Sequence, residues 1–271
     1  MRNYPTGKRT MAQGAVNVIS GGSAGIGLAV AERLAIGGGR IAILGRQREK
    51  LERAKGAIEA RGAADVLAIA ADVTQDDQVA AAFGQIKATW GQVHALINAA
   101  GPSGAGRFED LSDEAWLRAF DQGVLTAVRC IRHALPLLRQ AEWGRIVNIT
   151  AISVQHQSTG LIGYTAAKAA LASITKNLAR SLAADGILVN AVAPGPILTG
   201  PIRAAVEAAR GDPNDPHDAY RVMSEQYGSA VDLGRIGEPA EVAEVVAFCA
   251  SAANTYMTGA HLNVDGGSDF S

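Results

Sequence analysis

Apolar residues gather in seven short runs, at positions 15–19, 40–44, 66–70, 95–97, 145–149, 187–192 and 261–264. The runs are rich in Val, Ile and Leu and do not alternate strictly with polar residues. That pattern predicts strands covered on both faces, and most are separated by enough chain for a crossover helix. Helical periodicity predicts helices over 28–34, 113–138, 164–182 and 240–250, the last introduced by Glu238-Pro239. Repeated strand-helix-strand units of this kind predict an α/β fold, a doubly wound parallel sheet in three layers, α/β/α.

A single domain over residues 13–271 is expected, behind a polar and flexible N-terminal tail over 1–12. The stretch 200–234 breaks the rhythm. There Gly211-Asp212-Pro213-Asn214-Asp215-Pro216 interrupts two short helical patterns, an excursion of the kind that forms a lid over a site.

Composition narrows the function classes. With 271 residues, 48% hydrophobic and 19% charged, the chain can bury a full core. Its 25 Lys and Arg against 26 Asp and Glu leave no basic field to neutralise a nucleic-acid backbone. Without a secretory leader pattern or a charge-free span long enough for a bilayer, the expected location is cytoplasmic, away from membranes. Cys130 and Cys249 lie in apolar, helical stretches and are expected to be reduced and buried. No ligand cluster points to a metal.

The first strand runs through Ser20-Gly21-Gly22-Ser23-Ala24-Gly25-Ile26-Gly27 directly into a helix. A strand, a glycine turn and a helix N-terminus let a pyrophosphate approach the backbone and face unsatisfied N–H groups. A tight turn without a ligand would use the same glycines, so the context carries the prediction that Gly21, Ser23, Gly25, Ile26 and Gly27 bind a dinucleotide. About 20 residues further on, where an acidic residue would accept ribose hydroxyls, stand Gly45, Arg46 and Arg48. Arginine there suits a 2′-phosphate and favours NADP(H) over NAD(H), although both arginines would equally solvate a helix start. Asp72 and Val73 follow the third strand and Asn98-Ala99-Ala100-Gly101 the fourth. Asp72 is placed to accept from the adenine amino group, Ala100 and Gly101 to let the cofactor approach, and Asn98 to tie loops together.

Tyr164 and Lys168, four apart, share one helix face. An ammonium beside a phenol is expected to lower the phenol's pKa into a range suited to proton transfer, with further donors left for a ribose. Alone, the pair would equally suit a surface. Together with the glycine turn, Asn98-Ala99-Ala100-Gly101 and Tyr164-Thr165-Ala166-Ala167-Lys168, however, the chain resembles the classical short-chain dehydrogenase/reductase family, especially its 3-oxoacyl-(acyl-carrier-protein) reductase-like members. The resemblance continues through Asn190 to Gly195, Ile197 and Thr199, Arg235 to Pro239, and Val264 to Gly267.

The resemblance implies a Rossmann-type fold and hydride transfer between a nicotinamide and a ketone or secondary alcohol. Tyr164 would be the general acid and base, and Lys168 would hold the ribose. Pro194, Gly195, Ile197 and Thr199 would border the carboxamide, the excursion after Thr199 would close over a small carbonyl or alcohol substrate, and the protein would be a dimer or homotetramer.

Two positions depart from the family's pattern. Where the active-site serine is expected stands Ala151, and where the asparagine is expected stands Gly123. Thr150 and Ser153 are the nearby hydroxyls. In an extended chain Thr150 would face away and Ser153 would lie about 6.6 Å too far along. A bend would return Ser153, which is therefore either the carbonyl-binding residue or only a loop cap. Gly123, about 1 kcal/mol worse than alanine within a helix, predicts a backbone distortion or a water in the missing side chain's place, relaying protons to Lys168.

His156, between Gln155 and Gln157, either meets a polar substrate or is a solvated loop residue. His94 and His217 read as surface or turn residues. Two other functions remain: a lyase or epimerase on the same fold, with His156 as its extra acid or base, and a cofactor-binding protein with weak or no catalysis, suggested by Ala151 and Gly123.

Overall fold

The seven runs form β1 (Val16–Ser20), β2 (Arg40–Gly45), β3 (Asp65–Ala70), β4 (Ala95–Asn98), β5 (Gly144–Ile149), β6 (Ile187–Pro194) and β7 (His261–Val264) in a computed structural model that describes residues 14–101, 106–228 and 230–268. The expected tail over 1–12 lies outside these residues. All the strands are parallel, in the order β3-β2-β1-β4-β5-β6-β7. The order reverses direction between β1 and β4, which opens a crevice at the carboxyl edge of the sheet, where ligands of such folds lie.

The connecting helices are α1 (Gly25–Ala35), α2 (Arg48–Ala60), α3 (Asp76–Trp90), α4 (Asp113–Phe120), α5 (Thr126–Leu138), α6 (Ile162–Ser181), α7 (Gly200–Ala208), α8 (Pro216–Tyr227) and α9 (Pro239–Cys249). Successive strand residues feed opposite cores, which is why the strands read as continuous apolar runs. Val18 and Leu96 join a core with α3, α5 and α6, while Ile19 and Ile97 join the one beneath α1, α2 and α9. The excursion holds α7 and α8 around a small core of its own, made of Leu198, Val206, Ala219, Val222 and Ile236.

The single helix expected over 113–138 is corrected. A π-helical turn, Asp121–Leu125, separates α4 from α5 and contains the buried Gly123. Its wider ring is braced by Thr126 Oγ1 donating to the Gln122 carbonyl at 2.7 Å and by a 2.7 Å ion pair between Arg129 and Asp121. The distortion that Gly123 suggested is thus in the backbone itself.

His94 also departs from expectation. It is half-buried, its Nδ1 accepts the Val16 N–H at 3.0 Å, and burial lowers its pKa, so its role is to cap the amino edge of the sheet. Close by, Arg145 is 1% exposed and donates to the carbonyls of Gly144, Ser251 and Asn254, with its guanidinium 5.2 Å from the Trp143 ring. A buried charge holding three carbonyls binds β5 to the α9–β7 connection, at the edge away from the crevice.

Cys130 and Cys249 are free and buried in α5 and α9. Among the described residues no helix is long and apolar enough to cross a membrane, and no group of three or more His, Cys, Asp or Glu could hold a metal ion.

Candidate active site

At the carboxyl edge the chain leaves β1 through Gly21, whose φ of +74° suits glycine and whose N–H donates to the Leu44 carbonyl at 2.9 Å. A Cβ on Gly21 would lie 2.8 Å from the Ala100 nitrogen, so the turn rests directly on the backbone after β4. A Cβ on Gly27 would come within 2.3 Å of the Gly21 carbonyl oxygen, which shows how closely α1 folds back on its own entry. Ala24 caps α1 without a side-chain hydrogen bond, and its first turn carries no acidic residue. A close backbone cradle in front of an uncapped helix start fits a pyrophosphate. The residues present therefore suit a dinucleotide.

Other expected residues converge on this edge. A Cβ on Gly25 would be 3.5 Å from Thr199 Cγ2, which brings the loop after β6 against the glycine turn. Ser23 abuts the end of β2, its Oγ 3.0 Å from where a Cβ on Gly45 would stand. Arg46 is exposed just beyond. Asp72 Oδ1 accepts from the Thr74 backbone N–H at 3.0 Å and its hydroxyl at 2.8 Å. The Thr74 backbone bond is the main cause holding this carboxylate below its ordinary pKa, with Arg46 and Arg129 assisting. Asp72 and Arg46 thus share one corner of the crevice.

Other expected cofactor residues serve the frame as well. Val73 and Ile197 are buried in the two main cores, and Ile26 packs against the second. Gly195 donates to the Val264 carbonyl at 3.0 Å, which fixes the end of β6, Pro194 included, against β7.

Asn98 ties strands and a helix together rather than the loops expected. Its Nδ2 donates to Asn148 Oδ1 at 2.8 Å, Asn148 Nδ2 donates to Thr175 Oγ1 at 2.9 Å, and Thr175 donates to the Leu171 carbonyl at 2.9 Å. This chain joins β4, β5 and α6. Asn148 and Thr175 carry no signal in the sequence beyond being polar residues at buried positions.

Tyr164 is the third residue of α6, with Lys168 one turn on. Lys168 Nζ donates to the Ile149 carbonyl at 2.7 Å, and a Cβ on Gly101 would be 3.0 Å from it. The lysine therefore joins the end of β5 to the loop after β4, beneath the crevice.

The expected lowering of the phenol is corrected. Burial pushes Tyr164 up to about 12 and Lys168 down to about 8. The ammonium lies over the tyrosine ring, 5.8 Å from its centroid, with a proton committed to Ile149, so desolvation outweighs its attraction for a phenolate.

The two candidate hydroxyls are now distinguished. Thr150 Oγ1 lies 3.1 Å from the Val192 carbonyl and 2.8 Å from His261 Nε2, committed to the neighbouring strands. Past an extended Ala151, the chain makes a 3-10 turn, Ile152–Val154, packed against α6. Such a turn rises about 2.0 Å per residue, against about 3.3 Å in a strand, and so brings 153 closer to 151 than an extended chain would. Ser153 is 7% exposed and its Oγ has no hydrogen-bond partner. A buried hydroxyl left unsatisfied in this way suits a ligand oxygen. His156 is exposed in the following loop.

The family model described as enoyl-(acyl carrier protein) reductase matches residues 21–269. The short-chain reductase NovJ of Streptomyces niveus is 32% identical over 257 residues, covering 95% of this chain and 95% of its own. The 3-oxoacyl-(acyl-carrier-protein) reductase FabG of Staphylococcus aureus is 31% identical across 92% of this chain and 96% of its own. Among solved structures, the L-sorbose reductase of Gluconobacter frateurii, complexed with NADPH and L-sorbose, superposes with a TM-score of 0.87 at 31% identity, covering 96% of this chain and 98% of that one. An NADPH-bound short-chain oxidoreductase of Pseudomonas aeruginosa, described as containing an atypical catalytic centre, gives 0.86 at 29% identity over 93% and 96%. Similarity that runs from the glycine turn to the last strand, in sequence and in structure alike, makes this chain a member of the short-chain dehydrogenase/reductase family, oxidoreductases that act on CH–OH groups.

Proposed function

We propose that the protein is an NADP(H)-dependent reductase of a ketone, a 3-oxoacyl thioester or a related small carbonyl compound, and in reverse a dehydrogenase of the secondary alcohol. The observation that carries this reading is the position of Tyr164 and Lys168 on one face of α6, with Lys168 against Gly101, at the edge where the glycine turn meets the loop after β4. The nicotinamide, when bound, supplies or takes up the hydride.

The protein's own groups bind, orient and move the proton. With a pKa near 12, Tyr164 is fully protonated at neutral pH and acts as general acid on the carbonyl oxygen. In oxidation the same group takes the alcohol's proton back as general base, and burial disfavours the phenolate that both directions share. Ser153 donates its unpartnered hydroxyl to the same oxygen. Lys168 offers its remaining donors to the ribose, and a water route past the π-helical turn at Gly123 returns protons towards it. Arg46 takes the 2′-phosphate and Asp72 the adenine amino group. Pro194, Gly195, Ile197 and Thr199 border the carboxamide, and the 200–234 excursion closes over the substrate. The same reading includes a cytoplasmic homotetramer, with NAD(H) as the weaker cofactor. The NADPH-bound relatives support the cofactor choice.

The test is a panel of ketones, ketoses and alcohols followed by nicotinamide absorbance, for the wild-type protein and Tyr164→Phe. The expected result is turnover that falls by about a hundredfold or more in the variant, with NADPH binding retained. NADPH binding without turnover of any panel member by the wild type would instead favour a binding protein that no longer catalyses, the reading that Ala151 and Gly123 leave open.

A further inference from the structure

Two alternate residues of β7 reach over β6 and grip the segment that carries Ser153. His261 Nε2 lies 2.8 Å from Thr150 Oγ1, and Asn263 Nδ2 donates to Gln155 Oε1 at 2.8 Å. His261 and Asn263 are two apart on one strand and so share a face. They stand opposite Ala191 and Ala193 of β6, whose small side chains leave room for the reach to β5. Because the Thr150 hydroxyl has a carbonyl acceptor in Val192, the arrangement is satisfied with Nε2–H of His261 as the donor.

The spacing of the two grips determines what lies between them. Two residues of β7 advance about 6.6 Å, whereas the five steps from Thr150 to Gln155 would cover about 16.5 Å if extended. The chain between them must fold up. It does so in the 3-10 turn, whose N–H groups return locally: Val154 to Ala151 at 3.2 Å, Gln155 to Ile152 at 2.8 Å and His156 to Ile152 at 3.0 Å. The compact turn lifts Ser153 into its buried position beside α6.

Resting on the reading that Ser153 binds the substrate carbonyl, we propose that His261 and Asn263 are positioning residues. Through Thr150 and Gln155 they hold the turn that lets a serine two positions late serve in place of the one absent at Ala151. Neither touches the reacting atoms. Their contribution is the placement of one hydroxyl.

The test uses Thr150→Val, which keeps the buried shape and removes the hydroxyl, Thr150→Ser, which restores it, and Asn263→Ala, each alone and combined with Ser153→Ala. Hydrogen-exchange mass spectrometry over residues 150–157 reads the turn directly, and steady-state kinetics with NADPH and the best ketone of the panel reads its use. Thr150→Val and Asn263→Ala are expected to speed exchange in this segment by about tenfold. They should also lower kcat by about tenfold to a hundredfold, as misplacement of a catalytic group does, with NADPH affinity within about twofold of wild type. Thr150→Ser should recover both readouts, and in the Ser153→Ala background neither substitution should lower kcat further.

Unchanged exchange overturns the clamp even where Ser153→Ala costs turnover. Faster exchange with full additivity on Ser153→Ala overturns the positioning role, because the clamp would then act through another group. If Ser153→Ala leaves kcat intact, the assignment of Ser153 fails and the positioning role with it, while faster exchange would still identify the clamp as a structural device.

Discussion

Lys168 is held at a cost that can be measured without any substrate. The residue is 4% exposed, and burial moves its pKa from 10.5 to about 8. At about 1.4 kcal/mol per pH unit, that displacement is a penalty of about 3 kcal/mol on the charged form. Below about pH 8 the folded and unfolded chains are both protonated and the folded state bears the whole penalty. Between about 8 and 10.5 the unfolded chain still binds the proton that the folded chain has released, so stability rises with pH. Lys168→Met removes this linkage. Urea unfolding of the cofactor-free protein at intervals from pH 7 to pH 10 should show wild type gaining on the variant by about 2 kcal/mol or more across that range. Loss of the bond to the Ile149 carbonyl displaces the whole difference curve and leaves its slope. A difference that stays flat with pH would refute the buried, charged lysine.

Three further substitutions test separate parts of the account. Gly21→Ala forces a Cβ to 2.8 Å from the Ala100 nitrogen at a φ of +74°. It should weaken NADPH binding more than tenfold and cost about 1–3 kcal/mol of stability, read by cofactor fluorescence and by denaturant unfolding. Arg46→Ala should weaken NADPH binding by about tenfold to a hundredfold, the worth of one charge-assisted contact, and leave NADH binding unchanged; calorimetric titration with both cofactors decides it. Arg145→Met strands three carbonyls and should lower stability by about 3 kcal/mol or more in urea, while KM for NADPH stays within about twofold because the residue lies at the opposite edge of the sheet.

The central strands are legible in the sequence because both faces of the sheet are covered there, so Val18 and Ile19 alike must be apolar although they enter different cores. The crossovers are fainter. In α2 only Leu51, Ala54 and Ile58 are buried within a strongly charged segment, which blurs its period. The π-helical turn occupies five residues, too few to shift a hydrophobic period, and Gly123 is its one outward sign.

In the site, contiguous features read well: the glycine turn, Asn98 to Gly101, and the four-residue spacing of Tyr164 and Lys168. What depends on tertiary burial does not. The sign of the Tyr164 displacement follows from desolvation, which the ammonium's proximity in sequence conceals. The commitment of Thr150 to His261 needs a side chain reaching over β6, 111 residues away in the chain.

The central claim is that this site transfers a hydride to a carbonyl carbon with the proton supplied by Tyr164. The most direct measurement uses NADPH deuterated at the transferable C4 position with the best ketone of the panel, and follows the label by mass spectrometry in wild type and Tyr164→Phe. The account predicts one deuterium on the carbinol carbon of the wild-type product for each NADPH consumed, and at least a hundredfold slower labelling in the variant at equal cofactor occupancy. Product that carries no label, or labelling at the wild-type rate without the phenol, would contradict it.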